Sequence, residues 1–129
     1  MIKWLFAVKS NGGTVSVQIF GVKDSQATRA AERFFKERRA VIQFVDLKQK
    51  PMAPREIQRF VERFGMAELL DSEGKAYVDA GLKYLRLSDS ELLARIGRDP
   101  KLLRLPLIRA DRKLSVGNDP DSWKAMLSA

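Results

Sequence analysis

The sequence predicts an α/β architecture on a mixed β-sheet, and three observations predict it. Short apolar runs at 15–20, 40–47, 105–108 and 113–117 have the length and composition of strands. Stripes of apolar residues at helical spacing follow the first, second and last of these runs. Gly, Pro and Asx signals stand at nearly every junction. With 129 residues and 45% apolar content, the chain is long enough for one domain with a sizeable core and too short for two ordinary ones.

Residues 1–14 end in the turn signal Asn11-Gly12-Gly13. Two readings fit them: an extra edge strand at 2–8, or an N-terminal extension to a domain spanning 15–129. Residues 15–20 form a strand that Gly21 ends. Ala27, Ala30, Ala31, Phe34 and Phe35 then lie on one face of a helix. Between strand and helix, Asp24 and Ser25 can accept hydrogen bonds from the free N–H groups of the first helical turn. The run at 40–47 is a second strand, and strand, helix, strand at this spacing makes a right-handed parallel unit.

Pro54 opens a second helix whose Ile57, Phe60, Val61 and Phe64 stripe closes at Gly65. Residues 66–82 read as a half-turn at Leu69-Leu70, a loop at 72–75 and a short helix at 76–82. Ser88 and Glu91 match a capping box ahead of Leu92, Leu93 and Ile96, with the helix expected to stop before Gly97. Asp99-Pro100 caps another short helix through Leu103. Leu105 to Ile108 and the run at 113–117, joined by a turn at Ala110-Asp111, read as a β-hairpin. Asp119-Pro120 opens a last helix carrying Trp123, Met126 and Leu127.

Composition excludes several chemistries. The chain has no cysteine, hence no disulfide, thiolate nucleophile or Cys-rich zinc site. It has no histidine, hence no Ser-His-Asp or Cys-His nucleophile and no imidazole to ligate metal or move protons near neutral pH. No metal and no cofactor are expected. Net charge is +8, which favours an anionic partner. The basic excess sits toward the two ends, because residues 51–100 carry eight basic and nine acidic side chains. No apolar run approaches the roughly 20 residues that span a bilayer. The apolar stretch at 4–8 is too short for a secretory core, so a cytoplasmic protein without membrane contact is expected.

The order β-α-β-α, helices, β-β-α is that of the thioredoxin fold with a helical insertion, on a mixed four-stranded sheet. Several pieces in register resemble the ArsC/Spx family. They are Phe20-Gly21 with Ser25, Val45-Asp46-Leu47-Lys48 before a Pro-led helix, Leu69-Leu70, Leu102-Leu103 with Pro106-Leu107-Ile108, and Val116-Gly117 with Pro120 and Trp123. The resemblance implies that Pro106 is a cis proline facing the loop before the first helix. Composition alone would give any X-Pro bond only a minority chance of cis.

In family members that reduce arsenate, a cysteine stands at the first turn of this helix, where the helix dipole favours a thiolate. Here Ser25 occupies the place that looks equivalent. A serine hydroxyl is too basic to ionise there without a general base, and it forms no mixed disulfide. The resemblance also implies an arginine after the Leu-Leu pair and another just before the cis proline, suited to an oxyanion. Those places hold Asp71 and Leu105. Arg104, one residue earlier, is set aside because adjacent side chains on an extended segment point to opposite sides.

Lys23, Asp24, Ser25, Gln26 and Arg29 are the candidates for holding a small oxyanion at the helix start, the alternative being a helix cap with Lys23 and Arg29 merely solvated. No residue is assigned a catalytic role. Three functional readings follow. The first is an ArsC/Spx-like protein without redox chemistry that works by binding; resemblance to Spx implies a partner in the transcription machinery. The second is an arsenate-reductase-type oxidoreductase linked to glutaredoxin or glutathione. The third is a basic nucleic-acid-binding domain, which requires Arg33, Lys36, Arg38 and Arg39 to be continuous with Lys48, Lys50, Arg109, Arg112 and Lys113.

Overall fold

The computed structural model describes residues 15–128. Strands β1 (Ser16–Gly21), β2 (Val41–Asp46), β3 (Leu107–Ala110) and β4 (Lys113–Val116) form one sheet in the order β2-β1-β3-β4. Central β1 pairs in parallel with β2, placing Ile19 opposite Phe44. On its other edge it pairs antiparallel with β3, placing the same residue opposite Ile108. The sheet is therefore mixed, with a hairpin at one edge, and the fold is thioredoxin-like. The strand at 2–8 that the sequence admits lies outside the described residues.

Helices α1 (Gln26–Glu37) and α6 (Pro120–Leu127) cover one face of the sheet. Val17, Ile19, Phe35, Ile108 and Trp123 meet there, all but excluded from solvent. The Trp123 ring packs at a tilt against Phe34 and Phe35, with centroids 5.5 Å and 6.3 Å away. Helices α2 (Pro54–Phe64), α3 (Met66–Leu69), α4 (Lys75–Asp79) and α5 (Asp89–Arg98) belong to the other layer. Its core includes Phe20, Ile57, Phe60, Leu69, Leu103 and Leu107. Full burial of one such side chain contributes about 1.5–3 kcal/mol.

Local chemistry explains most boundaries. Ser88 and Glu91 close a reciprocal capping box at the start of α5. Pro54 and Pro120 stand at the first positions of α2 and α6, where a missing N–H costs nothing. Two boundaries differ from expectation. Helix α5 runs through Gly97 to Arg98, because one interior glycine costs only about 1 kcal/mol and the Asp99 N–H still closes the last turn on the Arg95 carbonyl at 2.9 Å. The expected helix at 76–82 divides, since Gly81 at φ 69 ends α4 and a 3-10 turn follows at Leu82–Tyr84.

Strand direction gives the molecule two ends. β1 and β2 both run toward the starts of α1 and α2, and the helices run back. At the far end, the Arg63 guanidinium in the last turn of α2 donates to the Arg112 carbonyl in the hairpin turn at 3.3 Å. Asp111 makes that turn with φ 57, a conformation aspartate tolerates. Among the described residues, no helix is long and apolar enough to cross a membrane.

Candidate functional site

The site lies where β1 passes into α1. Gly21 permits a close approach: a Cβ there would stand 2.5 Å from the Thr28 Oγ1 and 2.7 Å from its Cγ2. Thr28 is completely buried, and its hydroxyl has no hydrogen-bond partner among the described residues. The first turn of α1 thus settles directly onto the end of the strand. Ser25 adopts φ −85 and ψ 122, and its Oγ accepts from the Thr28 N–H at 3.2 Å, which makes it the N-cap of α1. Its own N–H donates to the Val22 carbonyl at 3.1 Å.

The neighbouring Asp24 carboxylate is shared by two cations. Its Oδ2 accepts from Lys101 Nζ at 2.7 Å and from Lys48 Nζ at 3.1 Å. These hydrogen bonds, Lys101's first and then Lys48's, pull its pKa down to about 2. One carboxylate thereby links the β1–α1 loop, the β2–α2 connector and the segment after α5.

Beside this cap runs a groove of about 330 Å³. Val22, Leu103 and Leu105 give it apolar walls, and Asp24, Asp71, Lys75, Lys101 and Arg104 supply its charge. Leu70 bridges to Leu103, Asp71 N–H donates to the Leu102 carbonyl at 2.9 Å, and Arg104 N–H donates to the Leu69 carbonyl at 2.7 Å. The two segments are thus zipped side by side along the groove. The Leu105–Pro106 peptide is cis, and Pro106 is fully buried at the entry to β3. Lys75 is paired with Asp79 at 2.6 Å.

Of the five residues proposed around an oxyanion, Asp24 and Ser25 line the groove, whereas Lys23, Gln26 and Arg29 do not. Arg29 instead turns back and donates to the Lys23 carbonyl at 2.8 Å. Arg104, which sequence reasoning set aside, is on the groove wall, with Nη2 3.4 Å from the Leu70 carbonyl. The pairing with residues 69–71 fixes that direction, and no local pattern around Arg104 signals it. Lys101 was missed for a similar reason: its partner is 77 positions away.

The basic residues do not form the single surface that nucleic-acid binding requires. Arg38 and Arg39 end α1 beside the hairpin end, where Arg109, Arg112 and Lys113 also lie, whereas Lys48 and Lys50 follow β2 at the groove end. Arg38 is engaged locally, donating to the Phe34 carbonyl at 3.1 Å and lying 3.8 Å over the Phe34 ring. Arg109 is occupied on the sheet by Glu56 at 3.4 Å and Gln18 at 2.8 Å. Among the described residues, no group of three or more acidic side chains is placed to hold a metal ion.

A groove with a capped helix start, charges of both signs and apolar walls can bind a ligand. Ser25 has neither imidazole nor thiol beside it, because the chain contains no histidine and no cysteine.

The family model of the ArsC family matches residues 20–126. A curated relative, the global transcriptional regulator Spx 2 of Oceanobacillus iheyensis, is 24% identical over 88% of this chain and 84% of its own. Among solved structures, the arsenate reductase from Vibrio cholerae superposes with a TM-score of 0.74 at 18% identity, over 88% of this chain and 98% of that one. An arsenate reductase related protein from Brucella melitensis gives 0.63 at 21% identity, over 89% and 97%. At such identities these structures support the fold alone. The match over residues 20–126, on this sheet and around this helix start, places the chain in the ArsC family.

Proposed function

We propose that this ArsC-family chain is a non-catalytic binding protein that regulates by contact with a protein of the transcription machinery in the cytoplasm. The observation that carries the reading is Ser25. At the place where a redox member needs an ionisable thiol, its oxygen accepts from Thr28 N–H and caps the helix. No cysteine or histidine elsewhere in the chain supplies the missing chemistry. The relative named as a global transcriptional regulator supports a regulatory role, and a net charge of +8 suits an acidic protein surface.

The nucleic-acid reading loses its main support with the division of the basic residues between two ends. The test is binding of the purified chain to purified RNA polymerase from the same organism at physiological salt, by biolayer interferometry. A saturable, reversible complex is expected. Absence of binding to core enzyme and holoenzyme alike contradicts the assignment of partner.

A further inference from the structure

We propose that the apolar pocket between α2 and α5, together with the basic shelf beside it, docks an acidic peptide segment that inserts one aliphatic or aromatic side chain. The pocket measures about 110 Å³. Leu47, Ile57, Ile96 and Leu103 form its floor, each at most 5% exposed, and Met52 and Leu93 wall it. Pro51 and Pro100 stand at its edge with fixed φ, so the mouth is preorganised rather than ordered on binding.

A shallower groove shares Leu47, Pro51, Gly97 and Pro100 with this pocket and adds Lys48, Arg98 and Lys101. Its one acid, Asp99, accepts from the Lys101 N–H at 3.2 Å. Lys48 and Lys101 share the single carboxylate of Asp24. Arg98 has no ion-pair partner among the described residues. An apolar socket beside a shelf where Lys48, Arg98 and Lys101 outnumber the carboxylates of Asp24 and Asp99 is complementary to an apolar anchor flanked by carboxylates.

A polar small molecule finds little in the socket to orient it, and a nucleobase would bury its polar edges there without partners. The inference rests on the binding reading above, but it fails or stands on different measurements. Lys101 and Leu103 also line the groove beside Ser25, so the docking site adjoins that groove.

Gly97 provides a clean block. A Cβ there meets nothing within 4 Å, and the position is helical, so Gly97→Trp places an indole over the mouth without backbone strain. The experiment is fluorescence anisotropy of labelled synthetic peptides on the full chain at physiological salt. The peptides carry glutamates around a central Leu, Phe or Ser, with a lysine-flanked Leu peptide as a control. Leu- and Phe-centred acidic peptides should bind at least about tenfold tighter than the Ser-centred and lysine-flanked ones.

Gly97→Trp, checked by circular dichroism for an unchanged fold, should remove that preference, and Arg98→Glu should weaken it several-fold. Equal binding of the Ser-centred peptide, no binding of any peptide, or binding indifferent to Gly97→Trp would overturn the proposal. So would self-association of the chain that Gly97→Trp abolishes, since the occupant would then be a second copy. RNA polymerase binding in the absence of any peptide preference leaves the regulatory reading intact and removes only this site. Peptide binding without polymerase binding does the reverse.

Discussion

Replacing Ser25 with alanine separates a structural hydroxyl from a reactive one. In the native chain, Ser25 Oγ accepts from the Thr28 N–H at 3.2 Å. Thr28 is fully buried against Gly21, so water replaces that acceptor poorly once the hydroxyl is gone. N-cap deletions cost about 0.5–2 kcal/mol, and the buried setting puts Ser25→Ala in the upper half, about 1–2 kcal/mol. For a chain of this size that corresponds to a fall in Tm of about 3–10 °C.

Urea denaturation followed by far-UV circular dichroism reads the change as a lower midpoint at unchanged m-value. Ser25→Asn keeps a capping oxygen and should stay within about 0.5 kcal/mol of the native chain. An unchanged midpoint in Ser25→Ala would refute the capping role, as would an equal loss in Ser25→Asn.

Two further outcomes follow from the same region. Gly21→Ala places a Cβ 2.5 Å from Thr28 Oγ1 and should destabilise by about 1–3 kcal/mol; the double variant with Thr28→Ala should recover much of that in the same denaturation assay. Asp24 is held near 2, below its unfolded value, so its contribution is complete above about pH 4 and disappears as pH falls through 2. Asp24→Asn should therefore show a shallower loss of stability than the native chain between pH 4 and 2 in acid titrations monitored by circular dichroism.

How much of this was legible in the sequence depends on the range of each interaction. The strand ended by Gly21, the stripe from Ala27 to Phe35, the Pro-led helices and the Ser88-Glu91 box are local patterns, and the structure follows them. Thr28 was not legible as core, because a hydroxyl between Ala27 and Ala31 looks like a boundary residue until Gly21 is seen to face it. Gly97 misled for a complementary reason: glycine ends helices in general, but here the capping hydrogen bond falls two residues later.

At the site, the cap was legible and the groove was not. Asp24 and Ser25 precede a visible helix start, whereas Lys101 and Arg104 arrive through pairings of the 69–71 and 102–104 segments that leave no periodic trace. Charge counts could not divide the basic residues into two groups either, since that division follows from the directions of β1 and β2.

The central claim is that the chain keeps the strand, turn and helix start of a reductase without the chemistry of one. Its most direct test is arsenate reduction by the purified chain with glutathione, glutaredoxin and an NADPH-coupled readout. NADPH consumption is expected to equal that of buffer in the native chain and in Ser25→Ala alike. Consumption above buffer that disappears in Ser25→Ala would contradict it.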